Sequence, residues 1–165
     1  MRLALIALVV ATGTALAAAT APSATPPTVS CNTIIGHAAS GHAGKRRVVL
    51  GVVSAPPAYL PQTAPPVSGP WRFWTKTGLV VHANAGPVTV RVPAAWRRRV
   101  AIEWGESGIV PALRIARCPY ILKAWNAWAG GFHLRERSAC VPVVFTVGRR
   151  SATVRFGLGR RCGAH

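Results

Sequence analysis

The 165-residue chain has no aspartate, only three glutamates and a single methionine, at its first position. So few carboxylates exclude the commonest hydrolytic designs. Glycoside hydrolysis needs two carboxylates flanking one bond, and Glu103 and Glu106 are the only near pair. A wall-polysaccharide hydrolase would therefore have to depend on one of these two. A Ser/His/acid triad would have to borrow a glutamate. The run Gly105-Glu106-Ser107-Gly108 begins like a nucleophile elbow but continues with Ile109 where that pattern needs glycine. His82 sits in an apolar stretch and reads as packed rather than catalytic. Glu103 falls on the predicted strand face of Arg99 and reads as its ion-pair partner. Glu136, between Arg135 and Arg137, reads as solvated charge. No C-x-x-C pair occurs, and His37, His42 and His133 are dispersed, which argues against a zinc site. No cofactor-binding motif is present. The sequence reads as non-enzymatic, with no catalytic residues, metal or cofactor.

Long apolar runs are also missing. Leu3 to Val10 is apolar but far short of the roughly 18 to 20 residues a spanning helix needs, and no later stretch supplies them. With Met1-Arg2 before it and the small residues Ala15-Leu16-Ala17 after it, this run reads as a secretion signal over residues 1–17. Residues 18–30, rich in Ala, Thr, Pro and Ser, read as a flexible lead-in. Residues 31–165 make one ordinary domain.

What the chain has in abundance is arginine. Lys and Arg total 20 against three acids, for a formal net charge of +17; loss of Arg2 with the signal leaves 17 − 1 = +16. Such a surface suits nucleic acid, anionic lipid or the anionic polymers of a cell envelope. A chain rich in Ala, Arg, Gly and Pro is also what a GC-rich genome encodes, so charge constrains the partner and not the function.

Export to an oxidising compartment and an even cysteine count point to disulfides among Cys31, Cys118, Cys140 and Cys162. Three connectivities are open. The favoured one joins Cys31 to Cys162, tying the domain's start to its end, and Cys118 to Cys140, bracing the segment between them. Lipid anchoring at Cys31 would leave an odd cysteine, and Thr28 stands where such signals carry leucine.

Arg46 to Val53 is short and β-branched and predicts one buried strand. Residues 54–70 hold six prolines and predict a long surface connection. Trp71 to Thr75 and Leu79 to Ala83 predict strands around a Lys76-Thr77-Gly78 turn. Pro87 to Pro93 places Val88, Val90 and Val92 on one face, and Arg98 to Trp104 does the same with Val100, Ile102 and Trp104. Ala112 to Cys118 is a weaker strand. The strongest signal is a hairpin of Val141 to Val147 and Ala152 to Leu158 around Gly148-Arg149-Arg150-Ser151. Residues 120–129, with Pro119 before and Gly130-Gly131 after, predict the one short helix. The expectation is an all-β, two-sheet sandwich of about seven or eight short antiparallel strands.

The order Lys76-Thr77-Gly78-Leu79, Trp96-Arg97, Ile102-Glu103-Trp104-Gly105, Cys118-Pro119, Trp125 to Phe132, Cys140 and Val154 to Cys162 resembles small secreted proteins of high-GC Gram-positive bacteria. The resemblance covers most of the chain after Trp71. It implies an exported, cysteine-paired β-domain and brings no activity with it.

The candidate binding features are basic and aromatic. Arg97, Arg98, Arg99, Arg149, Arg150, Arg160 and Arg161 make a candidate basic patch, since arginine forks match phosphate and carboxylate geometry. Trp71, Trp74, Trp125 and Trp128 lie outside the cleanest strands and are candidate exposed rings; the competing reading is that they are core. The expected function is non-enzymatic binding of an anionic envelope polymer by a secreted or wall-associated domain. The alternative is a structural or protein-interaction module of the cell surface.

Overall fold

The computed structural model describes residues 25–42, 44–61, 69–119 and 125–163; the predicted signal and residues 18–24 of the lead-in lie outside them. In chain order the strands are β1 (Thr28–Val29), β2 (Gly36–Ala38), β3 (Arg47–Val49), β4 (Val53–Ala55), β5 (Tyr59–Leu60), β6 (Phe73–Lys76), β7 (Leu79–His82), β8 (Val88–Arg91), β9 (Val100–Trp104), β10 (Ala112–Ile115), β11 (Trp125–Trp128), β12 (Gly130–Leu134), β13 (Ala139–Val147) and β14 (Arg150–Leu158). Among the described residues there is no α-helix, only 3-10 turns at Cys31–Thr33 and Ala94–Trp96. The protein is all-β and broadly a sandwich.

One layer is a six-stranded sheet in the order β1-β10-β8-β13-β14-β5. It is built on the predicted hairpin, whose nine-residue strands pair from Ala139↔Leu158 to Val147↔Arg150. The turn is therefore tighter than the sequence suggested, because Arg150 and Ser151 already belong to β14. Strict alternation sends Val141, Val143, Phe145, Val154, Phe156 and Leu158 into the core, while Val147 is half-buried. β8 adds Val88 and Val90, with Val92 just beyond it, and β10 adds Leu113 and Ile115. β1 pairs in parallel with β10, so the end of the predicted lead-in is structured. Likewise the Pro-rich connection is no plain loop: its start forms β4, and β5 pairs in parallel with β14.

The second layer consists of a five-stranded sheet, β2-β11-β7-β4-β3, and a three-stranded sheet, β6-β12-β9. These two share one continuous pair of chains. Gly131 opposes Lys76 and Trp128 opposes Leu79, so the same register runs through both sheets. Thr77-Gly78 is thus not a hairpin turn but a bend in one long strand, where the Thr77 amide donates to the Gly130 carbonyl. The predicted helix is corrected in the same way, since residues 125–128 form β11 and residues 120–124 lie outside the described set. Gly130 and Gly131 do not stop a helix. They sit where neighbouring backbones press from both sides: a Cβ on Gly130 would strike the Glu103 carbonyl, and one on Gly131 the Thr75 carbonyl. Gly130 also has φ +154°, a conformation that side chains disfavour.

A bend strands backbone carbonyls, and each needs a donor. Trp104 Nε1 donates to the Thr77 carbonyl at 2.9 Å. Arg46 Nη2 donates to the Gly78 carbonyl at 2.8 Å and to the Ser54 carbonyl at 2.6 Å, while its Nε donates to Ser54 Oγ. Burial of this guanidinium pushes its pKa below the ordinary value. The single strand predicted over Arg46 to Val53 is instead the β3–β4 hairpin. Leu50 and Gly51 turn it with positive φ, and the Val52 amide returns to the Val49 carbonyl.

The layers meet through a chain of rings. Trp104 packs on Phe132, Phe132 on Phe156, and Phe156 on Phe145, at centroid distances of 5.5, 5.3 and 6.4 Å. An antiparallel bridge between Ile102 and Val110 joins the layers at one corner.

All four cysteines are in disulfides, but the favoured pairing is wrong. Cys31 joins Cys118 and Cys140 joins Cys162. The parallel pairing of Val29 with Ile115 carries the chain on to Cys31 and Cys118 side by side. Cys140 pairs across the hairpin with Gly157, and the turn after β14 folds Arg160 to Cys162 back over that glycine. Both pairings are consequences of strand register, which cysteine spacing alone does not reveal.

Candidate basic and aromatic site

The predicted exposed tryptophans are mostly interior. Trp125 and Trp128 are 9% and 1% exposed. Trp125 packs against Gly41 and takes the edge of His82, whose Nδ1 donates to the Ala83 carbonyl. Trp128 donates its indole N–H to the Ser30 carbonyl at 3.2 Å. Trp71 and Trp74 are half-buried. An indole needs an acceptor for one atom and apolar cover for the rest; Trp128 has both, whereas the buried Trp74 Nε1 has no hydrogen-bond partner among the described residues.

All seven candidate arginines are exposed, but they do not share one place. Arg149 and Arg150 occupy the tip of the β13–β14 hairpin, where Arg150 Nη2 donates to the Leu50 carbonyl at 3.1 Å. Arg97 to Arg99 link β8 to β9, at the other end. β8 runs antiparallel to β13, with Arg91 opposite Val144, so it delivers the chain toward the start of β13. Arg160 and Arg161 follow β14 at this same end. A nine-residue strand separates the two sets by about 25 Å.

The end bearing Arg97 to Arg99 gathers residues that the sequence reading had left apart. Arg99 donates from Nε and Nη2 to the two oxygens of Glu136, at 2.9 and 2.7 Å. Arg99 and Arg160 both act on this carboxylate. The Arg99 hydrogen bond is the larger influence, and the carboxyl is held below its usual range. Glu136 is thus not merely solvated charge, and Arg99 is not the partner of Glu103. Glu103 instead accepts from His133 Nε2 at 2.7 Å, with Trp74 stacked at 6.1 Å from the imidazole.

Rings underlie the arginines here. The Arg99 guanidinium lies 4.7 Å from the Trp96 ring, Arg135 5.2 Å from Trp71, and Arg161 4.9 Å from Tyr59. Arg135 was not among the predicted site residues, yet its place follows from register. Leu134 pairs with Val100 and Phe73, and one residue further the Arg135 amide donates to the Arg99 carbonyl at 3.0 Å. Tyr59 had no signal in the sequence, because it reaches this end through the parallel pairing of β5 with β14.

The opposite end of the six-stranded sheet has an open cleft of about 420 Å³ lined in part by Thr89, Arg114, Thr146 and Gly148. It holds one cation and no ring. Among the described residues no group of three or more His, Cys, Asp or Glu side chains could hold a metal, and no helix is long and apolar enough to cross a membrane. Comparison with known proteins finds no matching family model, no matching curated protein and no matching solved structure.

Proposed function

We propose that this domain binds phosphate-bearing anionic polymers of the cell envelope through the end formed by Arg97 to Arg99, Arg135, Arg160 and Arg161. The observation that carries the reading is that three of these arginines lie over aromatic rings at one end of the sandwich. A ring beneath a guanidinium holds the plane by cation–π attraction and leaves its N–H edges for an anion. Less side-chain freedom is then lost on binding. Trp71 and Trp96 are half-buried with their arginines over them, so they serve as supports rather than as open platforms for sugars. Two disulfides suit work in an oxidising compartment.

The alternative, protein contact through tryptophan-rich loops, loses Trp125 and Trp128 to the interior. The large exposed apolar residues Ile35, Ile109 and Tyr59 are scattered along the chain.

The test measures retention on a poly(glycerol phosphate) wall polymer across roughly 50 to 200 mM salt, the range in which phosphate contacts weaken steeply. A clustered triple, Arg98, Arg135 and Arg160 to Gln, is compared with a scattered exposed triple, Arg47, Arg91 and Arg114 to Gln. Both lower the formal charge equally, 17 − 3 = +14. The clustered set should weaken binding at least about tenfold more at low salt, since it removes charge-assisted contacts rather than diffuse field. Equal losses would overturn the reading.

A further inference from the structure

Glu136 occupies an unexpected position in so basic a chain. It is one of three acids, it lies between Arg135 and Arg137, and it caps the fork of Arg99 with both oxygens. Among the described residues it is the only acid bonded to an arginine: Glu103 is taken by His133, and Glu106 is in neither of the ion pairs. Resting on the binding function above, we propose that the Arg99 fork is a phosphate seat and that Glu136 is its built-in competitor, displaced when a ligand phosphate binds.

Three features of the geometry support this. First, the pair is bidentate, and the fork that accepts two coplanar carboxylate oxygens accepts two oxygens of a phosphate equally well. Second, nothing buries the pair: the Arg99 and Glu136 side chains are 43% and 54% exposed, so the carboxylate can swing into water. An exposed pair gains little in high dielectric and is screened by salt, so even a bidentate one exchanges readily with another anion. Third, Arg99 does not depend on Glu136 for its position, because the Trp96 ring lies 4.7 Å beneath it. When the carboxylate leaves, the guanidinium stays, and Arg160 already acts on the same point in space. A phosphate diester or monoester is the ligand chemistry that fits: two oxygens for the fork and charge left over for Arg160.

An ordinary surface ion pair would predict something different. Removing Glu136 would then alter binding only by its charge, as removing any other exposed acid would. Glu106 supplies that control, since it is exposed and lies just beyond the opposite end of β9.

The experiment compares wild type, Glu136→Gln, Glu106→Gln and the double variant Glu136→Gln/Arg99→Gln. The probe is a single-stranded oligothymidylate, used as a phosphodiester chain of known charge spacing, with inorganic polyphosphate as a second probe. Freeing the fork adds one phosphate contact. Glu136→Gln should therefore steepen the slope of log affinity against log salt by about 0.7 on the oligonucleotide. Its affinity near 50 mM salt should rise several-fold, while Glu106→Gln leaves the slope at the wild-type value. In the double variant the gain should vanish, because the interaction is specific to the pair. Equal behaviour of Glu136→Gln and Glu106→Gln would overturn the competitor role alone, provided wild type still binds through the arginine cluster. If wild type shows no difference between the clustered and scattered arginine triples, the parent reading fails, and the competitor role with it.

Discussion

The two layers of this sandwich are specified in different ways. The six-stranded layer is written as alternation: Val141, Val143, Phe145, Val154 and Phe156 face one way, and the less buried Pro142, Val144 and Arg155 between them face the other. The second layer is a bent sheet whose shape depends on two adjacent glycines and on hydrogen bonds from outside the ladder. There the decisive residues are Gly130, Gly131, Arg46 and Trp104, and of these only Trp104 belongs to a repeating pattern. The difference matters for function, because the bent layer brings Arg99 and Arg135 to the end where the straight layer delivers Arg160 and Arg161.

The largest expected effect tests the junction of the layers. Phe156 is fully buried and packs on both Phe145 in its own layer and Phe132 in the other. Phe156→Ala should cost roughly 3 to 5 kcal/mol, the range for large-to-small changes in a closed core. Urea unfolding by tryptophan fluorescence would read it. A cost below about 1 kcal/mol would mean that the layers do not share a core.

Next comes the bend itself. Gly131→Ala places a Cβ against the Thr75 carbonyl, which belongs to backbone and cannot rotate away. The neighbouring strand must shift, at about 3 kcal/mol. Gly36→Ala, in β2 of the same layer, meets no atom within 4 Å and should stay within about half a kcal/mol. If the two changes cost the same, the close approach at Gly131 is not what shapes the layer.

A smaller loss is expected from Arg46→Met. The methionine keeps the apolar stem but leaves the Gly78 and Ser54 carbonyls without their donor. Orphaned buried polar groups cost about 1 to 3 kcal/mol, so about 2 kcal/mol is the expected value. Arg47→Met, one residue along and exposed, is the matched control. A cost for the control as large as for Arg46 would mean that general charge, and not the carbonyl clamp, is at work.

How much of this was legible follows from the same division. Period-two alternation revealed β8, β9, β13 and β14 with their buried faces, because each sends every second side chain into the core, although in β9 the other face is covered as well at Ala101. It failed where backbone geometry decides. Pro119 and Gly130-Gly131 look like the punctuation of a helix, and nothing local distinguishes that from a strand bent at its glycines. The parallel pairings of β1 with β10 and β5 with β14 are long-range, so the cysteine partners and the Tyr59–Arg161 contact were hidden with them. Of the site, the exposed arginines could be read, whereas their division between two ends of the molecule needed the direction of β8 against β13. Arg135 was within reach of the sequence: Gly131, His133 and Arg135 alternate on one strand, and only the missing neighbour concealed where that face leads.

The smallest expected effect concerns the one acid at the joint between the layers. Glu136 lies in the connection from β12 to β13, and Arg99 opens β9. The Arg99 hydrogen bond first, and the charges of Arg99 and Arg160 after it, hold the Glu136 carboxyl below its ordinary value of 4.5. A carboxylate whose folded value is depressed stabilises the fold above its unfolded value, and that contribution is lost as pH falls through the lower, folded one. The stability difference between wild type and Glu136→Gln should therefore be full at pH 7, shrink below about pH 4.5, and close in stronger acid. Because the pair is exposed, the difference should be slight even at its fullest. Urea midpoints of both proteins across this acid range would measure it. A loss at pH 7 approaching that of Phe156→Ala would make the ion pair a structural brace. A carboxylate holding the layers together in that way could not be given up to a ligand phosphate.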